Sequence, residues 1–136
     1  YQKTFFNFHE KMANILLLIV REIPIKGPTK AILKSLADFA NNKTHLTIPS
    51  YKTLANDVGC SRRTAIVCIK KLVDLNLISK KRREVNDRQT TNYYYFNIVK
   101  LIQYIPDQEK RIILSQRYTL DRELAEGRVF KLHPHK

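Results

Sequence analysis

The sequence predicts a mainly α-helical domain with one small antiparallel β element, flanked by a helix on each side. Three observations carry that prediction. Apolar residues recur at helical spacing on both sides of Gly59, in YKTLANDV and in TAIVCIKKLVDL, so two helices meet at one glycine. A β-prone run, TNYYYFNI (91–98), follows a second β-prone stretch that opens at Leu77, and the segment between them, EVNDRQT, carries turn chemistry. The chain has 136 residues, 43% of them hydrophobic, which suits one domain with an appended helix or two and is too apolar for a disordered chain. The expected division is a helical extension over residues 1–27, a central domain over 28–98 and a second helical extension over 99–136.

Near the N-terminus, Phe8, Met12, Ile15, Leu16, Ile19 and Ile23 fall close to one helix face and predict a helix from about His9 to Glu22. The β-branched content of ILLLIV also suits a strand. Such a helix either covers the core of the following domain or pairs two subunits. Pro24, Gly27 and Pro28 break regular structure and make a short connection. Thr29 is placed to cap a helix from about Lys30 to Asn41, with Ile32, Leu33, Leu36, Ala37, Phe39 and Ala40 as its apolar stripe. Asn41 and Asn42 end it, because asparagine tolerates the left-handed conformation. His45 to Ile48 reads as a small strand closed by Pro49, which cannot continue a ladder.

Ser50 caps the next helix, Tyr51 to Val58, whose Leu54, Ala55 and Val58 must pack on the helix before it. Gly59 supplies a left-handed stop without steric cost, and Ser61 caps a new helix two residues later. Ala65, Cys68, Ile69, Leu72 and Leu75 recur at three- and four-residue steps and predict the buried face of this second helix. A helix, a tight turn and a capped second helix form the grammar of a helix-turn-helix, whose second helix lies in the DNA major groove. The face opposite the core is then Arg62, Arg63, Ile66, Val67, Lys70 and Lys71. Apolar residues among cations suit a surface that meets thymine methyls and sugars while arginine reaches guanine or phosphate. A generic basic helix face is the plainer alternative. Asn76 stands where the helix must turn into a strand, again a left-handed position.

Leu77 to Arg83 and Thr91 to Ile98 are the predicted strands of a hairpin, with Tyr94, Phe96 and Ile98 facing Leu77 and Ile78, and Tyr93 and Tyr95 on the other side. A hairpin beside a helix-turn-helix is a wing. Its cations, Lys80, Lys81, Arg82, Arg83 and Arg88, are opposed only by Glu84 and Asp87, which predicts phosphate contacts at or beside the minor groove. Tyrosines next to cations also suit stacking of single-stranded bases, or simple packing of the wing on the core. Beyond Pro106, Asp107 caps a helix to about Ala125, with Ile112, Ile113, Leu120 and Leu124 as its apolar residues and Gly127 at its end. That helix covers the domain, pairs two subunits or leads to another region.

The balance of 25 Lys and Arg against 12 Asp and Glu gives a net charge of +13, which points to a polyanionic partner, nucleic acid before membrane. The longest apolar run, Ile15 to Val20, is far short of the roughly 20 residues that cross a bilayer. With no cleavable signal in view either, a soluble cytoplasmic protein without membrane attachment is expected. Cys60 and Cys68 are expected to be free, and His133 and His135 lack cysteine or carboxylate neighbours, so neither a disulfide nor a metal is expected. No Gly-rich phosphate loop, nucleophile elbow or pair of carboxylates is visible; the sequence therefore predicts no catalytic residue, no cofactor and no enzyme.

Four segments stand out together: LADFAN closing one helix, PSYKTLANDVGCSRRT across the turn, LNLI entering the hairpin and TNYYYF in its return strand. With them the chain, over about half its length from near Pro28 to Ile98, resembles the winged helix-turn-helix domain of bacterial, phage and plasmid replication-initiation and regulatory proteins. Asn76 stands where that family usually has glycine, and Val67 where a polar or basic side chain is common. The resemblance implies sequence-specific binding of double-stranded DNA by a transcription regulator or replication-initiation protein, cytoplasmic and nucleoid-associated. Ser61, Arg62, Arg63 and Thr64 would open the recognition helix, and Lys80 to Arg83 would add backbone contacts. Ser50, Tyr51 and Lys52 complete the expected contact set, and a homodimer through the N- or C-terminal helix would double the site read. A protein-interaction module and a binder of single-stranded nucleic acid or RNA are the alternatives.

Overall fold

The computed structural model describes residues 14–41, 44–86, 88–89 and 91–126. Expectations for Phe8, Met12, Asn42, Asp87, Gly127, His133 and His135, and for the side chain of Arg88, lie outside the described residues. The order of elements is α1 (Ile15–Arg21), α2 (Gly27–Phe39), α3 (Tyr51–Val58), α4 (Arg62–Asp74), β1 (Ile78–Lys81), β2 (Glu84–Val85), β3 (Arg88–Gln89), β4 (Tyr93–Phe96), α5 (Ile98–Gln103) and α6 (Gln108–Ala125). The fold is mainly α with a small antiparallel β wing, and helices flank it on both sides.

Local chemistry fixes most helix ends. Asn14, extended at φ −90°, accepts the Leu17 amide and caps α1 at Ile15; the expected start near His9 lies outside the described residues. Gly27 and Pro28, expected to break the chain, form the first turn of α2 instead. Proline suits that turn, because its missing N–H would have no helical partner there. Thr29 is consequently inside the helix, where its hydroxyl donates to Cys68 Sγ at 3.7 Å. α2 ends at Phe39 with Ala40 extended, and Phe39 itself turns outward, 45% exposed. Of the short strand expected at His45 to Ile48, a single bridge survives, Thr47 to Tyr94, which ties this segment to the wing.

α2, α3 and α4 pack on one another around Ile32, Leu33, Leu36, Leu54, Ala65, Ile69 and Leu72, all at most 1% exposed. Leu75, expected in that core, is 39% exposed. It is the cap residue of α4, and with Asn76 left-handed at φ 63° the chain reverses so that Leu77 takes the buried place. The Leu77 amide returns to Leu72 O at 3.1 Å, closing the helix end. β1 pairs β4 in the register Ile78 to Phe96 and Lys81 to Tyr93, and β2 pairs β3 beyond it, so part of the expected turn segment is ladder, with the reversal at Asn86 (φ 53°). Ile98, expected in the return strand, opens α5, whose Leu101 joins the core.

α6 starts as expected at its Asp107 cap, and its apolar side chains divide between two sides. Ile112, Ile113, Leu120 and Leu124 are 51%, 53%, 50% and 43% exposed, while Leu114 and Tyr118 face the domain. The helix is held against α1 and α5, and a polar cluster fastens its second half. There the buried His45 lies 3.1 Å from Arg122 Nη2, 3.7 Å from Asp121 and 5.8 Å from the Tyr118 ring centre. Burial, and then the Arg122 charge, hold the His45 pKa below its ordinary value, against an opposing pull from Asp121.

Candidate nucleic-acid interface

The turn between α3 and α4 is built by two serines and a glycine. Ser50 and Ser61 each accept the amide three residues on, from Thr53 and Thr64, both at 3.0 Å. Gly59 sits at φ 84°, and its amide donates to Ala55 O at 2.8 Å. A side chain there would meet nothing within 4 Å, so backbone conformation alone demands glycine. With Ala65, Cys68, Ile69 and Leu72 locked inward, the outer face of α4 is fixed by the 3.6-residue repeat.

That face carries Arg63, Val67, Lys70 and Asp74 in one line, at steps of four, three and four residues. Arg63, Lys70 and Lys71 are exposed, Thr64 and Ile66 are half-buried beside the line, and Val67 is 48% exposed. Lys70 lies 3.4 Å from Asp74, both well exposed, a pairing too weak to withhold the lysine from a partner. Arg62 does not belong to this line. Its guanidinium lies over the Tyr51 ring, 5.6 Å from the ring centre. It lines a polar pocket of about 400 Å³ with Ser50, Lys52, Thr91 and Asn92, between the start of α3 and the wing. The structure thus separates two arginines that the sequence places together.

The wing presents Lys80, Lys81 and Arg82 to solvent, with Arg82 3.2 Å from Glu84. Arg83 is half-buried, 5.7 Å from the centre of the Tyr93 ring and 3.4 Å from Thr91 Oγ1. Tyr95 is exposed, and Tyr94 is buried on the opposite face. Burial raises the Tyr94 pKa, with the Asn92 hydrogen bond working against it. Asn92, itself buried, donates from Nδ2 towards both Tyr51 Oη and Tyr94 Oη at 3.4 Å and so joins the wing to the start of α3. Sequence reasoning passed over Asn92; the signal was an asparagine opening an aromatic strand, where strand preference disfavours it.

The family model for a helix-turn-helix domain matches residues 25–78, from just before α2 to the first residue of β1. No curated protein and no solved structure gives a significant match to the chain. A helix-turn-helix is a DNA-binding architecture with no catalytic machinery of its own. Among the described residues, no group of three or more His, Cys, Asp or Glu side chains could hold a metal, and no helix is long and apolar enough to cross a membrane.

Proposed function

We propose that this helix-turn-helix domain binds double-stranded DNA sequence-specifically, with α4 in the major groove and the wing on the backbone. One observation carries the reading: a capped, rigidly packed helix turns Arg63, Val67 and Lys70 outward in one line, with a large apolar side chain left exposed between two cations. In water that arrangement gains nothing. In a major groove, Val67 meets thymine methyls while Arg63 reaches guanine O6 and N7. Arg62, Lys52, Lys80, Lys81 and Arg82 lie off that line and supply sequence-independent attraction to phosphates. In this reading the protein acts in the cytoplasm, on the nucleoid, as a transcription regulator or replication-initiation protein. Its site is an inverted repeat bound by two copies.

The reading predicts steep salt dependence. Neutralising about six phosphates gives a slope of roughly −5 for the logarithm of affinity against the logarithm of salt. A flat response in a duplex titration, or binding to a protein partner that survives nuclease treatment and charge reversal at Arg62 and Arg63, would sink it. The exposed Tyr95 and the Arg83–Tyr93 pair favour a second reading, stacking of single-stranded bases. Competition of duplex against single strand for the same protein separates the two.

A further inference from the structure

We infer that Ile113, Leu120 and Leu124 on α6 form the docking face for a second copy of this chain, the two α6 helices lying side by side and parallel about a twofold axis. The inference deepens the DNA-binding reading by supplying the second copy, and it can be tested without DNA.

Steps of seven and four residues place these three side chains in a strip about 40° wide on an α-helix. All three are close to half exposed, and they run along the outside of a helix whose packed face is Leu114 and Tyr118. Charge selects the occupant. From Asp107 to Glu126 the chain has five acidic and four basic side chains, in a protein whose whole balance is +13. Two copies carrying that excess repel, and α6, nearly neutral, is a surface where they can approach. An acidic partner, by contrast, would be drawn to the cationic faces of α4 and the wing.

The edges of the strip settle the orientation. By helical geometry Glu109 and Glu123 lie along one edge, Lys110 and Arg117 along the other. A twofold axis parallel to the helices sets each acidic edge against the partner copy's basic edge, on both sides of the seam. Antiparallel pairing sets acid on acid and base on base. Lys110 lies 3.1 Å from Glu22 of its own chain, which places it at that edge and partly offsets its charge. One helix pair is smaller than the roughly 800 Å² per partner of a stable interface. The dimer is therefore weak in free solution, and two half-sites on one duplex strengthen it through effective concentration.

Cysteine trapping of the full chain, with Cys60 changed to serine, tests the face and its orientation together. In parallel pairing each strip residue meets its own counterpart, so Leu120→Cys and Ile113→Cys each form a covalent dimer on mild oxidation. Ser115→Cys, exposed on the far side of the helix, does not. Equal trapping of Ser115→Cys, or no trapping at Leu120 at high protein concentration, would overturn the inference and give the strip to another occupant. Trapping only between Ile113→Cys and Leu124→Cys in a mixture would overturn the parallel arrangement. On a duplex with two half-sites, Leu120→Glu is expected to remove cooperativity and leave single half-site affinity within about twofold. If the unmodified chain binds no half-site, the DNA reading fails while the trapping result stands.

Discussion

Replacing Arg63 and Arg62 one at a time separates base reading from backbone attraction more sharply than any other pair of changes. Arg63 is exposed on the outward line of α4 and makes no ion pair within the described residues, so Arg63→Ala should leave stability within about 0.5 kcal/mol of the parent. If Arg63 makes a bidentate guanine contact, its loss costs about 1 to 3 kcal/mol on the cognate duplex, roughly a 5- to 150-fold drop in affinity. On a scrambled duplex the drop should be small. Arg62 sits over Tyr51 beside Lys52, so Arg62→Ala should weaken cognate and scrambled duplexes by the same factor. It should also flatten the salt slope by about 0.9. Fluorescence anisotropy at four salt concentrations, on a cognate duplex selected from random sequence and on its scramble, measures all of this. Equal losses on both duplexes for Arg63→Ala, or a cognate-only loss for Arg62→Ala, would refute the assignment.

Two further outcomes concern the scaffold. Gly59→Ala meets no atom but forces a side chain into φ 84°, so it should cost about 1 to 2 kcal/mol and lower the melting temperature by several degrees; an unchanged melting temperature would mean that the turn relaxes. His45 is kept neutral by burial and by Arg122, with its pKa below the ordinary 6.5. Because the unfolded chain takes up the proton first, its stabilising contribution is complete above that value and is lost as pH falls through the lowered one. The parent's melting temperature should therefore fall more steeply below pH 6.5 than that of His45→Asn, whose asparagine tolerates the left-handed φ of 59°, and parallel pH profiles would contradict the argument.

Features set by local chemistry could be read from the sequence. Ser50, Ser61 and Asp107 cap because each oxygen satisfies an amide three residues away, and Gly59 and Asn76 stop helices because few other residues take positive φ. Where one residue type serves two local roles, the sequence was ambiguous: Pro28 breaks a helix or begins one, and only the packing of α2 on α4 decides. The candidate site divides the same way. The outward line of α4 follows from its buried face, but the separation of Arg62 from Arg63 depends on Tyr51 and the wing, and the place of Asn92 depends on two tyrosine hydroxyls from different elements. Such non-local geometry leaves no periodicity behind.

α6 shows what hydrophobic periodicity, the strongest of these signals, leaves open. An amphipathic helix ordinarily turns its apolar stripe to the core. Here Leu114 and Tyr118 fill the inner face with Asp121 and Arg122, which lie 3.7 Å and 3.1 Å from the buried His45, and the remaining large aliphatic side chains point to water. A polar inner face needs partners, and His45, held at positive φ in the loop before α3, meets Arg122 there. Leaving Ile113, Leu120 and Leu124 half exposed forgoes about 25 cal/mol for each Å² of apolar surface that stays in water. The polar contacts at His45 and the bare strip outside them are thus two sides of one arrangement: the contacts hold one rotation of α6, and that rotation leaves Ile113, Leu120 and Leu124 outward.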